Sequence, residues 1–195
     1  MLKRITTALV AALSLSAPAM AWSEATQLDP AHQVLWETLE SKGVWTFVNP
    51  EKVCQDPEKD PDGAYFYAPK AGRPILIVCQ DNRDATDTSE VAWTANDFDT
   101  IRHEAMHFLQ DCLDGEIDQE LLPFYDGPGG APGNITAAEV QRRLGYEWAT
   151  GIALTYASAG ADAATIRLEH EAFYVAANIS PVTIAHAIDA FCPAK

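Results

Sequence analysis

Positive charge is what this 195-residue chain has least of: 13 Lys and Arg stand against 28 Asp and Glu, a formal net charge of −15. It has no basic stripe, and so acidic a surface repels nucleic-acid phosphates and anionic lipid, which argues against both as partners. A polymeric substrate, if there is one, should be neutral or basic. Long apolar runs are also missing. The longest, Ile5 to Ala17, is broken by Ser and Thr, falls short of a comfortable membrane span and has no stop-transfer flank. The four cysteines, Cys54, Cys79, Cys112 and Cys192, include no C-x-x-C spacing, which argues against a cysteine-based zinc site. Internal repeats and low-complexity tracts are absent too.

What stands at the start of the chain sets an expected compartment. Lys3 and Arg4 precede the apolar run, and Ala19-Met20-Ala21 offers the small-x-small pattern that signal peptidase reads. No cysteine follows, which speaks against a lipid anchor. The expected signal peptide is 1–21 and the expected mature chain is 22–195, one domain with no membrane span after cleavage, secreted or periplasmic. Removing Lys3 and Arg4 leaves 11 basic residues against 28 acidic ones, a net charge of −17. In an exported chain four cysteines read as two disulfides, and three pairings are open. The preferred ones are Cys54 with Cys79, closing a local β-rich segment, and Cys112 with Cys192, tying the C-terminus to the middle.

Asp29-Pro30 reads as an N-cap and first helical residue, with the helix ending at Gly43. Val44–Val48 reads as a strand, and 64–67 with 75–79 as a hairpin around Pro69-Lys70-Ala71-Gly72. The acid spacing Glu58, Asp60, Asp62 before Gly63 resembles a calcium loop only loosely, because Pro69 stands where the closing Glu should be. A helix is expected from about Asp97 to Leu113. Residues 123–134, with three prolines and four glycines, are expected to be irregular. Thr136 then caps a helical region, another helix runs from about Asp162 to Ala177, and Ser180-Pro181 opens a last short one. Asn134-Ile135-Thr136 and Asn178-Ile179-Ser180 fit the glycosylation pattern, but such triplets are common and receive no role.

The informative stretch is Arg102-His103-Glu104-Ala105-Met106-His107-Phe108. Residues four apart on a helix share a face, so His103 and His107 can aim two imidazoles at one metal ion. Glu104, beside the first histidine, can reach a water on that metal and take its proton. Zinc suits a site with three protein ligands and one open position.

His-Glu-x-x-His on a helix preceded by a small sheet resembles the zincin superfamily of metallopeptidases. The metzincin extension is ruled out, because Gln110 and Leu113 stand where a Gly and a His would be needed. The resemblance to gluzincins implies a third ligand from a later helix. The stretch Leu168-Glu169-His170-Glu171-Ala172 matches their Glu-x-x-Ala and selects Glu169, 62 residues after His107, over Glu171. It departs at Phe173, where those families usually carry an Asp or Asn that holds a ligand histidine. Asp111 and Glu147 are the substitutes available. Glu171 and His170 are expected at the surface, and Tyr125, Tyr146, Tyr156, Tyr174 or His186 could each supply an oxyanion donor.

The resemblance thus implies an α+β fold, a three-stranded antiparallel sheet on the motif helix with a mostly helical C-terminal half. It also implies zinc-dependent hydrolysis of a peptide or protein substrate, with Glu104 as general base. The competing expectation is a secreted zinc-binding or partner-binding module on the same fold that no longer turns over.

Overall fold

A computed structural model describes residues 28–55, 61–84, 91–125 and 136–193. The expected signal peptide, most of the acidic loop at 56–60 and most of the Pro/Gly-rich stretch lie outside the described residues. The described elements are α1 (Pro30–Ser41), β1 (Trp45–Val48), α2 (Glu51–Cys54), β2 (Gly63–Ala68), β3 (Arg73–Val78), α3 (Ala95–Asp111), α4 (Ala137–Leu144), α5 (Tyr146–Ser158), α6 (Ala163–Asn178) and α7 (Pro181–Phe191). This is an α+β fold with a three-stranded sheet on helices and a helical C-terminal half.

Local chemistry sets the helix starts. Asp29, Thr136, Asp162 and Ser180 each accept a backbone N–H of the following first turn, satisfying donors that the helix itself leaves unpaired. The central helix begins two residues before the sequence suggests, because Thr94 and Asp97 form a reciprocal capping box. Gly151 does not interrupt α5. The short α2 escaped the sequence reading, since a single turn carries no periodicity.

The sheet is mixed rather than wholly antiparallel. Its order is β1-β3-β2, with β2 antiparallel and β1 parallel to β3. The reason lies in β3, whose Pro74-Ile75-Leu76-Ile77-Val78 is apolar on both faces and takes the central place. Val48 and Gly63 both pair with Val78, so the chain leaves β1 and enters β2 at the same end of β3, placing those two on opposite edges. Leu76 and Val78 join the main core with Ile101, Ala105, Phe108 and Leu109 of α3. Ile75 and Ile77 face the other way, against Cys54, Cys79, Phe47 and Val53. A disulfide joins Cys54 to Cys79 and therefore covers the sheet's outer face, and a second joins Cys112 to Cys192. No helix among the described residues is long and apolar enough to cross a membrane.

α3 is the hub. One side lies on β2 and β3, the other on α6 and α7. Every residue from His103 to Asp111 is buried. Ala172, fully buried on α6 three residues after Glu169, presents little bulk, so α6 can approach α3 closely.

Candidate metal centre

That close approach assembles the site. His103 and His107, one turn apart on α3, meet Glu169 from α6, and the three donor atoms lie within 4.8 Å of one another. His103 Nε2 and His107 Nε2 are 3.1 Å apart, and Glu169 Oε2 lies 3.2 Å from the first and 3.5 Å from the second. Donors arranged tetrahedrally about zinc at ~2.0–2.1 Å are separated by about 3.3–3.4 Å, so this triangle fits such an ion without rearrangement. Glu169 Oε2 is buried and makes no hydrogen bond of ordinary geometry despite its two imidazole neighbours. Three converging side-chain atoms that can each act as a ligand form a cage able to hold a cation.

The tautomer of His107 follows from its support. Gln110 Nε2 donates to two acceptors, Glu171 Oε2 at 3.1 Å and the Leu168 carbonyl at 3.2 Å, which fixes the orientation of its amide. Gln110 Oε1 therefore faces His107 Nδ1, at 2.8 Å, and that nitrogen must carry the proton. In the neutral imidazole Nε2 is then the bare nitrogen, as a metal ligand requires. Glu171 in turn accepts the Phe124 backbone N–H at 2.8 Å. Sequence reasoning missed Gln110, although its place three residues after His107 puts both on one helical face.

Neither expected substitute performs this task. Asp111 accepts the Tyr65 hydroxyl and the backbone N–H groups of Asp118 and Gln119. Glu147 is exposed on α5. The other histidine is held differently: His103 Nδ1 is buried without a hydrogen bond, and the Phe173 ring stands edge-on to the imidazole with centroids 4.5 Å apart.

The expectation of surface positions for His170 and Glu171 is corrected. Both are buried, because α6 packs against α3, α4 and α5 and has little face left for water. His170 Nε2 bonds the Ala149 carbonyl, linking α6 to α5, and Nδ1 meets Gln141 on α4. Glu171, 1 % exposed, is pushed by burial up to about 7, against the pull of its hydrogen bonds.

Comparison of the chain with protein-family models, with curated proteins and with solved structures returned no match.

Electrostatics favour a positive charge between the donors. Burial opposes charging His107, yet the carboxylates of Glu169 and Glu104 and the bond to Gln110 outweigh it and hold its pKa at about 9. Burial also works against the Glu169 anion, but the two histidines keep its carboxyl well below the ordinary range. Glu104 is different. Burial raises its pKa, its neighbours His103 and His107 oppose that, and Glu169 adds to it. Its carboxylate accepts the Tyr65 backbone N–H, and Gly63 on β2 passes so close that a Cβ there would lie 3.2 Å from Glu104 Oε1.

Glu104 and His103 line an open cleft of about 260 Å³. Of the five candidate oxyanion donors only Tyr156 lines that cleft, and its hydroxyl bonds Glu169. Tyr146 and His186 are exposed, Tyr174 is buried against Arg143, and Tyr125 packs on Phe124 and Tyr174. The site is thus a buried His-His-Glu cluster able to hold a metal ion, with a carboxylate and a phenol beside it.

Proposed function

We propose that this protein is an exported zinc-dependent peptidase of the zincin kind. The observation that carries the proposal is the convergence of His103, His107 and Glu169 at zinc-like spacing beside a second acid, Glu104, which lines the cleft. Zinc held there would act as a Lewis acid, making water a stronger acid and polarising a carbonyl. Glu104, its proton affinity raised by burial, takes a proton from the attacking water and delivers it to the leaving amine as the C–N bond breaks. No covalent bond to the protein forms. This reading assigns to Tyr156, which lines the cleft beside Glu169, the donor for the oxygen on which negative charge develops, its hydroxyl turning from Glu169 to do so. The two disulfides fit an oxidising compartment, which supports export together with the leader-like start of the chain.

The expected outcome is close to one zinc per purified chain, measured by metal analysis, and its loss in His103→Ala. Glu104→Gln should keep the metal while turnover of a mixed peptide library, read by mass spectrometry, falls by at least a hundredfold, within the ~10²–10⁴ that a positioned base supplies. Absence of zinc after chelator-free purification, with no stabilisation on adding it, would sink the proposal. The apolar contact of Phe173 with His103, in place of a hydrogen-bonding partner, favours one second reading, a zinc-binding module without turnover. Tight zinc binding with no cleavage in the wild type would select it.

A further inference from the structure

The cleft beside His103 and Glu104 has two unlike walls. One is aromatic: Trp148 and Tyr156 from α5 stand edge-on to Phe173 from α6, with centroid separations of 6.1 and 6.4 Å. Ala176 and Ala177 continue that wall with small apolar side chains. Trp148 keeps 47 % of its surface exposed although it is among the largest apolar groups of the chain. The other wall is polar and carries Asp62 and Asp99, and no described residue lining the cleft is Lys or Arg. Asp99 pairs with Arg102, yet its side chain is still 51 % exposed. The guanidinium of Arg102 is held on its other sides by His32 and the Ala176 carbonyl.

Aromatic rings and carboxylates that line one cleft together with small apolar side chains make an environment for a cation on an aliphatic stem. Rings attract a cation through their quadrupole, and an aliphatic stem gains by leaving water while its charged head stays among polar groups. A second carboxylate brought there would meet the like charge of Asp62 and of Asp99, the latter already paired with Arg102. We infer that the cleft selects a polypeptide with a lysine or arginine side chain beside the bond to be cut. The stem lies along Phe173, Ala176 and Ala177, and the head sits between Trp148, Tyr156 and the carboxylates of Asp62 and Asp99. The net charge of −15 draws basic segments toward the same surface. This inference rests on the peptidase reading and deepens it.

The test uses the Glu104→Gln protein, with and without added zinc, and fluorescent peptides of one sequence whose central residue is Arg, citrulline, norleucine or Glu. Citrulline keeps the shape of arginine and removes its charge. Anisotropy should rank Arg first and Glu last, with Arg bound roughly tenfold more tightly than citrulline. The gap should shrink toward parity in the background of Asp62→Asn with Asp99→Asn. The same order should appear in kcat/KM for the wild-type enzyme, a readout that needs no change to the cleft. A citrulline or Glu peptide bound as tightly as the Arg peptide overturns the inference, as does failure of all four to bind. A protein that holds no zinc overturns the peptidase reading instead, whatever the order of the peptides.

Discussion

His107 owes its chemistry to a neighbour that the motif does not specify. The His-Glu-x-x-His spacing places His103, Glu104 and His107 on one helix, so those three positions were legible in the sequence from the helix period alone. Gln110 was not, because an amide at that place has many uses and only the position of Glu171 behind it defines one. Glu171 itself sits in a run, Glu169-His170-Glu171, in which every residue is polar, and no amphipathic pattern says which of them points inward. Replacing Gln110 by Leu removes the acceptor for His107 Nδ1 and a donor for Glu171 together. Gln110→Leu is expected to weaken zinc binding about 10–100-fold, as supporting partners of ligand histidines generally do. Competition with a chromogenic chelator measures this on folded protein. A role confined to packing would lower the unfolding midpoint and leave the chelator competition unchanged.

Between elements, the decisive contact is β2 against α3. The sequence read the hairpin and the central helix to within two residues at most ends, yet could not say that Gly63 would pass over Glu104. A Cβ at Gly63 would lie 2.5 Å from Thr100 Cγ2 and 2.9 Å from the Ile77 carbonyl oxygen, both closer than real contacts allow. Gly63→Ala therefore forces the edge strand away from the helix, at a cost of about 1–3 kcal/mol by analogy with other overpacked sites. It also loosens the Tyr65 N–H that holds the Glu104 carboxylate. The ligands are untouched, so the expected result is full zinc content, a lower chemical-denaturation midpoint and a fall in kcat with little change in zinc affinity. Equal losses of zinc and kcat would show that β2 supports the ligands rather than the base. The mixed direction of the sheet belongs to this scale as well. The apolar run of β3 suits its central place, but strand order and direction depended on where the connection between β1 and β2 crosses, which no local pattern records.

At the scale of the molecule, the α+β layering and the helical second half were legible because α4, α6 and α7 carry their own start signals. Two contacts between distant segments, the disulfides, join the cysteine pairs that the sequence favoured, and their loops differ: 25 residues for Cys54–Cys79 and 80 for Cys112–Cys192. In the chain-entropy treatment the longer bridge stabilises by about 4 kcal/mol and the shorter by about 3. Cys112→Ala with Cys192→Ala is accordingly expected to lower unfolding stability more than Cys54→Ala with Cys79→Ala, as measured by denaturant titration. The reverse order would mean that covering the sheet's outer face matters more than tethering α7. The cluster is divided between helices in the same way. His103 and His107 arrive on α3, and Glu169 only 62 residues later on α6. A chain still emerging offers an ion only two imidazoles of this cluster. Full coordination would have to wait until α6 docks, so occupancy of the centre would act as a late checkpoint that separates finished molecules from those still assembling.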